Sequence, residues 1–445
     1  MGTDGARLKR KGAAGRPRVT TSRRGVGSTG GAALRGAEAR SILLKLPKAR
    51  AAPQAYNYHV ANTLTYPPIT PLAGIHVWTE RLEHIAGQPL EFCPDFPAIT
   101  RRFEAWWAHE LIDRPIFIAA ANTNPGRPIN RRLELLENPQ AWLAAKLADL
   151  RQTHRVGDAL PHVRVDFGPV LLGGMLGGKT EFGADTTWTH SFIHDDWSNA
   201  PDWTLRPDNQ LWVLLRQLLR LAAKDAKGRY LVCTPDLGGS ADVLLNLRGS
   251  APLCLDTVEQ PERVRGALEA IYPAWRRAFT EMNRIPLESG AGVIHWLGLW
   301  SNRPYMIPAC DFSFMIGPAE FRRLCWPDIA RQAATVGRAV FHLDGPGAAR
   351  HVDALLEVPD IQAIQFTPGT GTPSALAWVD MFRKIQKHGR SMLVICPADE
   401  VLSLCDALRP EGLAILIVDA LTPEALDELF AGFEKKFLNG KGSMP

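Results

Sequence analysis

Segments with helical periodicity alternate with short apolar runs from residue 97 to the C-terminal region. Apolar residues recurring at every third or fourth position predict helices, and short continuous apolar runs predict strands buried on both faces of a parallel sheet. The predicted helices are 98–111, 138–154, 208–226, 259–283, 317–335, 347–357, 375–388, 397–408 and 423–436. The predicted strands are Pro115–Ala121, Val163–Phe167, Tyr230–Pro235, Gly292–Trp296, Tyr305–Cys310, Ala339–Leu343, Ile361–Phe366, Met392–Cys396 and Leu413–Val418. This alternation predicts a parallel α/β architecture.

The number of predicted strands fits a (β/α)8 TIM barrel over residues 97–436, with one supernumerary strand or misread segment. A doubly wound open sheet is the structural alternative. Its usual dinucleotide-binding form loses support, because no Gly-x-Gly-x-x-Gly follows the first predicted strand. We therefore expect a TIM barrel with an N-terminal extension and a long insertion at residues 168–206, near the barrel mouth.

The ends of the chain differ in composition from this central region. Residues 1–50 hold thirteen Lys and Arg against Asp4 and Glu38, a local charge of +11, so a total of +5 leaves −6 for the rest. Their Gly, Ala, Ser and Arg content predicts a disordered tail or a misplaced start codon, with a transit peptide or a nucleic-acid arm as alternatives. We expect residues 51–96, rich in Pro and aromatics, to wrap the barrel, and 437–445 to be a C-terminal tail.

Composition also excludes several classes of function. No apolar run is long enough to predict a membrane span, and no basic patch interleaved with aromatic residues occurs outside the tail. The seven cysteines are widely spaced without a Cys-x-x-Cys, which favours reduced thiols over a disulfide framework. The sequence therefore predicts a cytoplasmic protein that binds a small molecule, without a membrane or nucleic-acid partner and with an undetermined oligomeric state.

Polar residues follow nearly every predicted strand. A TIM barrel places its chemistry at the carboxyl ends of its strands, so these residues are the candidates for the site. Some of the aspartates have a structural alternative, because Asp at a strand end often caps the next helix. The strand-end residues are Asp166, Asp236, His295, Asp311, His342, Asp344, Gln365, Cys396 and Asp419.

The run Phe341-His342-Leu343-Asp344-Gly345-Pro346-Gly347 is the most informative segment. Alternation within a strand puts His342 and Asp344 on the same side. The Gly-Pro-Gly that follows lets the chain turn closely into a helix. We therefore predict that His342 and Asp344 take part in the site, together with Asp311.

Several motifs resemble the uroporphyrinogen decarboxylase superfamily, over about residues 97–436. They are Cys310-Asp311-Phe312-Ser313-Phe314-Met315-Ile316-Gly317-Pro318, the His342–Gly347 run, Arg114-Pro115, Val165-Asp166-Phe167-Gly168-Pro169, and Asp242 through Arg248-Gly249. The resemblance implies a TIM barrel and either porphyrinogen decarboxylation or corrinoid-dependent methyl transfer. The decarboxylases' motif Met-Arg-Gln-Ala-Gly-Arg-Tyr is absent, and the methyltransferases' zinc-binding His-x-Cys is replaced by His342-Leu343-Asp344.

These observations favour a methyltransferase acting on a small methylated substrate, with a corrinoid carried by a partner protein. Zinc bound by His342, Asp344 and Cys396, with Cys310 or Asp419 as alternatives to Cys396, is one possibility, and a metal-free pair acting on protons is the other. Two further readings stay open, a decarboxylase-type lyase without metal and a non-catalytic corrinoid- or metabolite-binding barrel. The expected substrate-binding residues are Asp166, Asp236, His295, Trp296 and Gln365.

Overall fold

The computed structural model describes residues 88–122, 138–183, 186–369, 371–372 and 374–438. The predicted tail 1–50, most of the wrapping segment 51–96 and the end of the C-terminal tail lie outside these residues. Within the described ranges, no helix combines the length and the apolar character that crossing a membrane requires.

Strands and helices alternate through most of the described chain. The strands are β1 (Ile116–Asn122), β2 (Thr153–Gly157), β3 (His162–Arg164), β4 (Lys179–Phe182), β5 (Thr187–His190), β6 (Leu231–Thr234), β7 (Val293–His295), β8 (Trp300–Ser301), β9 (Ala339–Asp344), β10 (Ile361–Thr367), β11 (Ser391–Cys396) and β12 (Leu413–Ile417). The helices before β9 are α1 (Phe96–Trp107), α2 (Pro139–Gln152), α3 (Leu171–Met175), α4 (Gln210–Asp225), α5 (Ser240–Arg248), α6 (Ser250–Glu259), α7 (Pro261–Leu287), α8 (Pro318–Glu320) and α9 (Trp326–Val336). Those after β9 are α10 (Gly345–Ala349), α11 (Val352–Leu356), α12 (Val379–Lys387), α13 (Val401–Ala407) and α14 (Pro423–Leu438).

The strands form a mixed α/β structure built on parallel pairing. One sheet has the order β2-β1-β12-β11-β10-β9, with every pair parallel except β1 with β2. A second sheet has the order β3-β6-β7-β8 and is parallel up to β7, and β4 pairs with β5 as an antiparallel hairpin. The expected parallel α/β architecture is confirmed. Ladders of the described strands form separate sheets, and no closed ring of hydrogen-bonded strands is present among them.

The predicted strand Tyr305–Cys310 is not a strand of either sheet. It touches β9 through isolated parallel bridges, Met306 with Ala339 and Ala309 with His342. Pro304 and Pro308 prevent regular pairing of this segment with β9, because proline has no N–H to donate to a ladder.

Alternation along the strands divides the core into two clusters. The inner cluster takes residues from strands of both large sheets: Ile118, Cys233, Val293, Val340, Ala363, Leu393 and Ala414. On β9 the intervening residues Phe341 and Leu343 belong to the outer cluster, which packs against the helices. Because side chains alternate along a strand, His342 and Asp344 lie on the same face as Val340, which is the inner one.

A β-bulge interrupts the pairing of β9 with β10. Ile361 is paired with Ala339, but the next pair joins Ala363 to Val340, so Gln362 is an extra residue. Its side chain forms two hydrogen bonds with the backbone beside the bulge. It accepts from the Ala339 N–H at 3.1 Å and donates to the Gly337 carbonyl at 3.3 Å.

Two predicted helices differ in their course. Helix α2 ends at Gln152 and runs directly into strand β2, where the sequence predicts helix to residue 154. The predicted helix 317–335 contains a π-helical turn, Phe321–Cys325, between α8 and α9. Pro327 follows this turn, and its missing N–H prevents a regular α-helical hydrogen bond there.

Candidate functional site

Three acidic and imidazole side chains meet at the carboxyl end of β9. One ligand atom each from Asp311, His342 and Asp344 lies within 4.8 Å of the others. His342 and Asp344 come from the inner face of β9, and Asp311 from the short 3-10 turn Asp311–Met315. The structure thus brings together the three residues that the sequence predicts as catalytic.

The ring of His342 is oriented by the neighbouring strand. Its Nδ1 is hydrogen-bonded to Oε1 of Gln365, its register partner on β10, and Nε2 of Gln365 donates to Oγ1 of Thr367 at 2.8 Å. A side-chain carbonyl oxygen can only accept, so Nδ1 carries the proton. In the neutral ring, Nε2 then holds the lone pair that can accept a proton or bind a metal. The edge of the Trp296 ring packs against the imidazole, with centroids 5.0 Å apart.

The pKa of the Asp311 carboxyl group lies close to neutral pH. Asp311 is exposed as a residue, but loss of hydration at its carboxyl group raises its pKa to about 6, while His342 lowers the pKa and the charges of Asp344 and Asp236 raise it further. A carboxyl with such a pKa can give or take a proton near pH 7. The same environment also favours binding a cation, because a positive charge would offset the repulsion between the acids.

A fourth acid, Asp242, lies directly behind Asp311. Its side chain is buried in the first turn of α5, and its Oδ1 accepts a hydrogen bond from the Phe312 N–H at 2.9 Å. Burial, with the charge of Asp311 as a second cause, raises the pKa of Asp242 well above its usual range. The sequence gives Asp242 no site role, because the residue lies within a helix rather than at a strand end.

Asp166 and Asp236 share one local motif. In each, Oδ1 accepts from the N–H two residues ahead at 2.8 Å, from Gly168 and Gly238 respectively. Both glycines have positive φ, which suits a residue without Cβ. Asp166 is buried and lies 3.6 Å from Nη2 of Arg164, whereas Asp236 is partly exposed. These carboxylates therefore stabilise the turns after β3 and β6, and Asp236 also acts on Asp311 through its charge.

His295 is a buried histidine with both ring nitrogens engaged. Its Nε2 donates to the Tyr305 carbonyl at 2.7 Å, and its Nδ1 is hydrogen-bonded to the Thr234 hydroxyl. Burial lowers its pKa to about 4. The ring is therefore neutral and held in place. Its neighbour Trp296 contacts His342. His295 and Trp296 line a cavity of about 30 Å³ with Asp236, which is room for one water molecule.

No protein-family model matches the chain, and no curated protein is significantly similar to it. Among solved structures, a methyltransferase from Methanosarcina mazei is similar, with 12% sequence identity and a TM-score of 0.52. The alignment covers 76% of this chain and 99% of that one. At this identity the likeness shows the fold alone, and it supports a TIM-barrel-like arrangement of the parallel strands and helices.

The structure separates Cys396 from the other predicted metal ligands. Cys396 is buried in the outer cluster together with Met392 and Val394, while the inner cluster takes Leu393 from the same strand. Burial raises the pKa of its thiol. The strand-end pattern could not show which way Cys396 faces, because β11 is apolar on both sides. Asp311, not Cys396, is the third donor beside His342 and Asp344.

Two other candidates for completing a metal site also lie elsewhere. Cys310 belongs to the outer cluster and is buried there. Asp419 accepts a hydrogen bond from the Ala398 N–H at 2.6 Å, which caps the short turn after β11. The structure therefore leaves a cluster of one imidazole and two carboxylates.

Proposed function

We propose that this chain is a (β/α)8-barrel methyltransferase that moves a methyl group between a small methylated substrate and a corrinoid carried by a partner protein. In this proposal Asp311, His342 and Asp344 bind a divalent metal ion, zinc being the first candidate. The observation that carries the proposal is the cluster of three donors within 4.8 Å at the carboxyl end of β9.

The donor set fits a catalytic metal. Zinc accepts imidazole and carboxylate ligands, and a catalytic zinc usually has three protein ligands and one open position. Gln365 binds the other nitrogen of His342, as the outer partners of metal-ligating histidines commonly do. A bound divalent ion would supply Lewis-acid activation of the heteroatom that gives or receives the methyl group.

Residues next to the three donors form the rest of the proposed site. Trp296 packs against His342 and forms an apolar wall beside the three donors. Asp236 acts on Asp311 through its charge, so it helps to set how strongly a cation is held. Substrate binding is assigned to Trp296 and Asp236, which follow the neighbouring strands β7 and β6, while buried Asp166 is left with its structural role.

Different observations support the proposed closed barrel and the proposed methyl transfer. The inner cluster draws residues from both large sheets, as the interior of one barrel would. The similar solved structure is a methyltransferase, and the sequence motifs resemble a superfamily that includes corrinoid-dependent enzymes of this activity. The first observation favours methyl transfer, and the second is compatible with it and with decarboxylation.

Metal analysis tests the proposal directly. We expect purified wild-type protein to hold stoichiometric divalent metal by mass spectrometry, and His342→Ala, Asp344→Ala and Asp311→Ala to lose it while melting cooperatively. Cys396→Ala is the control and should keep the metal. Turnover is assayed with free cob(I)alamin and a panel of methylated amines and thioethers, following the visible absorbance of methylcobalamin. A metal-free wild type that still turns over substrate would overturn the metal site.

A decarboxylase-type lyase without metal is the second candidate. The raised pKa of Asp311, about 6, favours it, because that carboxyl could protonate a carbanion next to His342. Release of CO₂ from a carboxylated substrate by metal-free protein, lost in Asp311→Asn, would support the lyase. Binding of cobalamin without turnover of either kind would leave the non-catalytic barrel.

A further inference from the structure

The three donors of the cluster are not held in the same way. His342 and Asp344 are residues of β9, whose backbone is fixed by its ladder with β10. Asp311 instead begins the 3-10 turn Asp311–Met315, which belongs to no sheet and follows Ala309, the last residue bridged to β9. Beyond that bridge, the position of its carboxylate depends on what fixes the turn.

The buried carboxylate of Asp242 fixes the start of the turn. Its Oδ1 accepts from the Phe312 N–H at 2.9 Å. Phe312 directly follows Asp311, so this side chain anchors the turn at the residue next to a donor of the cluster. Asp242 is 2% exposed, so water cannot easily replace it as the acceptor.

Close backbone packing holds Asp242 at that distance. Gly239, just before α5, has no side chain, and a Cβ there would overlap the carbonyl oxygen of Ala309. The same Cβ position lies 3.6 Å from Oδ2 of Asp242. The backbone at the start of α5 therefore contacts the backbone of the segment before the turn. This contact sets the distance between the Asp242 side chain and the turn.

The far side of the turn has separate supports. The Ser313 carbonyl accepts from Nε2 of His351 at 3.0 Å, and His351 is stacked on Phe321 with ring centroids 4.2 Å apart. The Phe314 ring rests against Gly347. Neither support touches the backbone of Asp311, so loss of Asp242 should displace Asp311 while the rest of the turn stays attached.

We infer that Asp242 is a positioning residue, which holds the carboxylate of Asp311 within reach of His342 and Asp344. This inference rests on the proposed metal site, since Asp242 itself is not a ligand. Asp242→Ala removes the acceptor for the Phe312 N–H. Asp242→Asn keeps an acceptor oxygen of the same reach, so it should restore most of the function that Asp242→Ala loses.

The test uses Co²⁺ as the probe of the full-length protein. We expect Asp242→Ala to weaken Co²⁺ binding about 10–100-fold and to change the visible d–d absorption of the bound ion, as loss of an outer partner does at metal sites. Asp242→Asn should return both the affinity and the spectrum close to those of wild type. Glu400→Ala is the matched control, because Glu400 is also a buried acid that accepts from a backbone N–H, but that N–H belongs to Leu376, outside the turn.

The outcomes separate the two ideas. If wild-type protein binds no Co²⁺, the proposed metal site fails and the inference fails with it. If wild type binds Co²⁺ and Asp242→Ala binds it with the same affinity and spectrum, only the inference is wrong. Should Asp242→Ala not fold, Asp242→Leu takes its place, because leucine keeps a branched side chain but offers no acceptor. Weaker Co²⁺ binding with a changed spectrum in Asp242→Leu supports the inference, and wild-type affinity and spectrum overturn it. A spectral change in Glu400→Ala as large as that in Asp242→Ala would also overturn it.

Discussion

Nδ1 of His342 is hydrogen-bonded to the side-chain oxygen of Gln365 across the parallel pair β9 and β10. The two residues are register partners, so the backbone ladder sets the distance between their side chains. Gln365 is fully buried, and its amide is fixed in turn by Thr367. The imidazole is therefore held in one orientation, and Nε2 is the nitrogen left to bind a metal or accept a proton.

Gln365 should govern metal affinity without being a ligand. We expect Gln365→Ala to weaken Zn²⁺ or Co²⁺ binding about 10–100-fold, because His342 loses the partner that fixes its tautomer and ring orientation. Gln365→Glu keeps an acceptor oxygen and should bind within the wild-type range. Competition titration measures the affinities, with Gln386→Ala, another buried glutamine, as the control. Equal affinities for wild type and Gln365→Ala would contradict this role.

Gly347 should be required for the position of the Phe314 ring. A Cβ at Gly347 would overlap that ring, so Gly347→Ala must displace the ring of Phe314, a residue of the turn that begins at Asp311. We expect weaker Co²⁺ binding in Gly347→Ala and recovery in the double variant with Phe314→Ala, where the space is restored. The control is Gly266→Ala in α7, which has no neighbouring atom near its Cβ position and should be neutral or stabilising by about 0.5–1 kcal/mol. A double variant no better than Gly347→Ala would refute the steric explanation.

Buried His295 should make the protein less stable in mild acid. Its pKa is about 4 in the folded protein and about 6.5 when unfolded, so between these values the unfolded chain binds more protons. The stabilisation is complete above pH 6.5 and is lost as pH falls towards 4, amounting to about 2 kcal/mol between pH 7 and pH 5. Urea unfolding at these two pH values should show a smaller loss in His295→Gln than in wild type. His388→Gln, at an exposed position, should show the wild-type loss, and the same loss in all three proteins would disprove the assignment.

The buried carboxylate of Asp158 should be important for stability. It is paired with Arg114 at 2.5 Å and Arg102 at 3.2 Å, and it also accepts from the Phe117 N–H at 3.0 Å. Asp158→Ala leaves the buried Arg114 without this partner, and we expect a loss of about 3–5 kcal/mol in the free energy of unfolding. Asp427→Ala, which removes an exposed pair with His154, should cost no more than about 1 kcal/mol. Comparable costs from urea titrations of the two variants would count against a special role for Asp158.

Strands β9 and β10, which carry His342 and Gln365, could be predicted from the sequence to within one residue, whereas the predicted strand Tyr305–Cys310 was wrong. The predicted Ile361–Phe366 is β10 (Ile361–Thr367), a short segment of Ile and Phe bounded by Pro359-Asp360 and Pro368-Gly369. Strand β2, Thr-His-Arg-Val-Gly, was missed, since it is polar and antiparallel at a sheet edge, and it follows a helix without a break.

The site was partly predictable for a related reason. His342 and Asp344 stand out because polar residues alternate with apolar ones at the end of β9, which reveals their common face. Cys396 ends a strand that is apolar on both sides, so its outward direction could not be read. Asp242 approaches the turn from a helix distant in sequence, and only the folded backbone shows that contact.

The extra residue in β10 decides which of its side chains meets His342. If the pairing that begins with Ile361 and Ala339 continued without Gln362 as an extra residue, Ile364 would lie opposite His342 and Gln365 would face the helices. Gln362 contacts neither side chain, and it lies near the other end of the strand. The number of residues at the start of β10 therefore determines the partner of His342 as much as the identity of Gln365 does. A relative lacking one residue before Ala363 would keep Asp311, His342 and Asp344, yet it would lose the hydrogen bond that orients the imidazole ring.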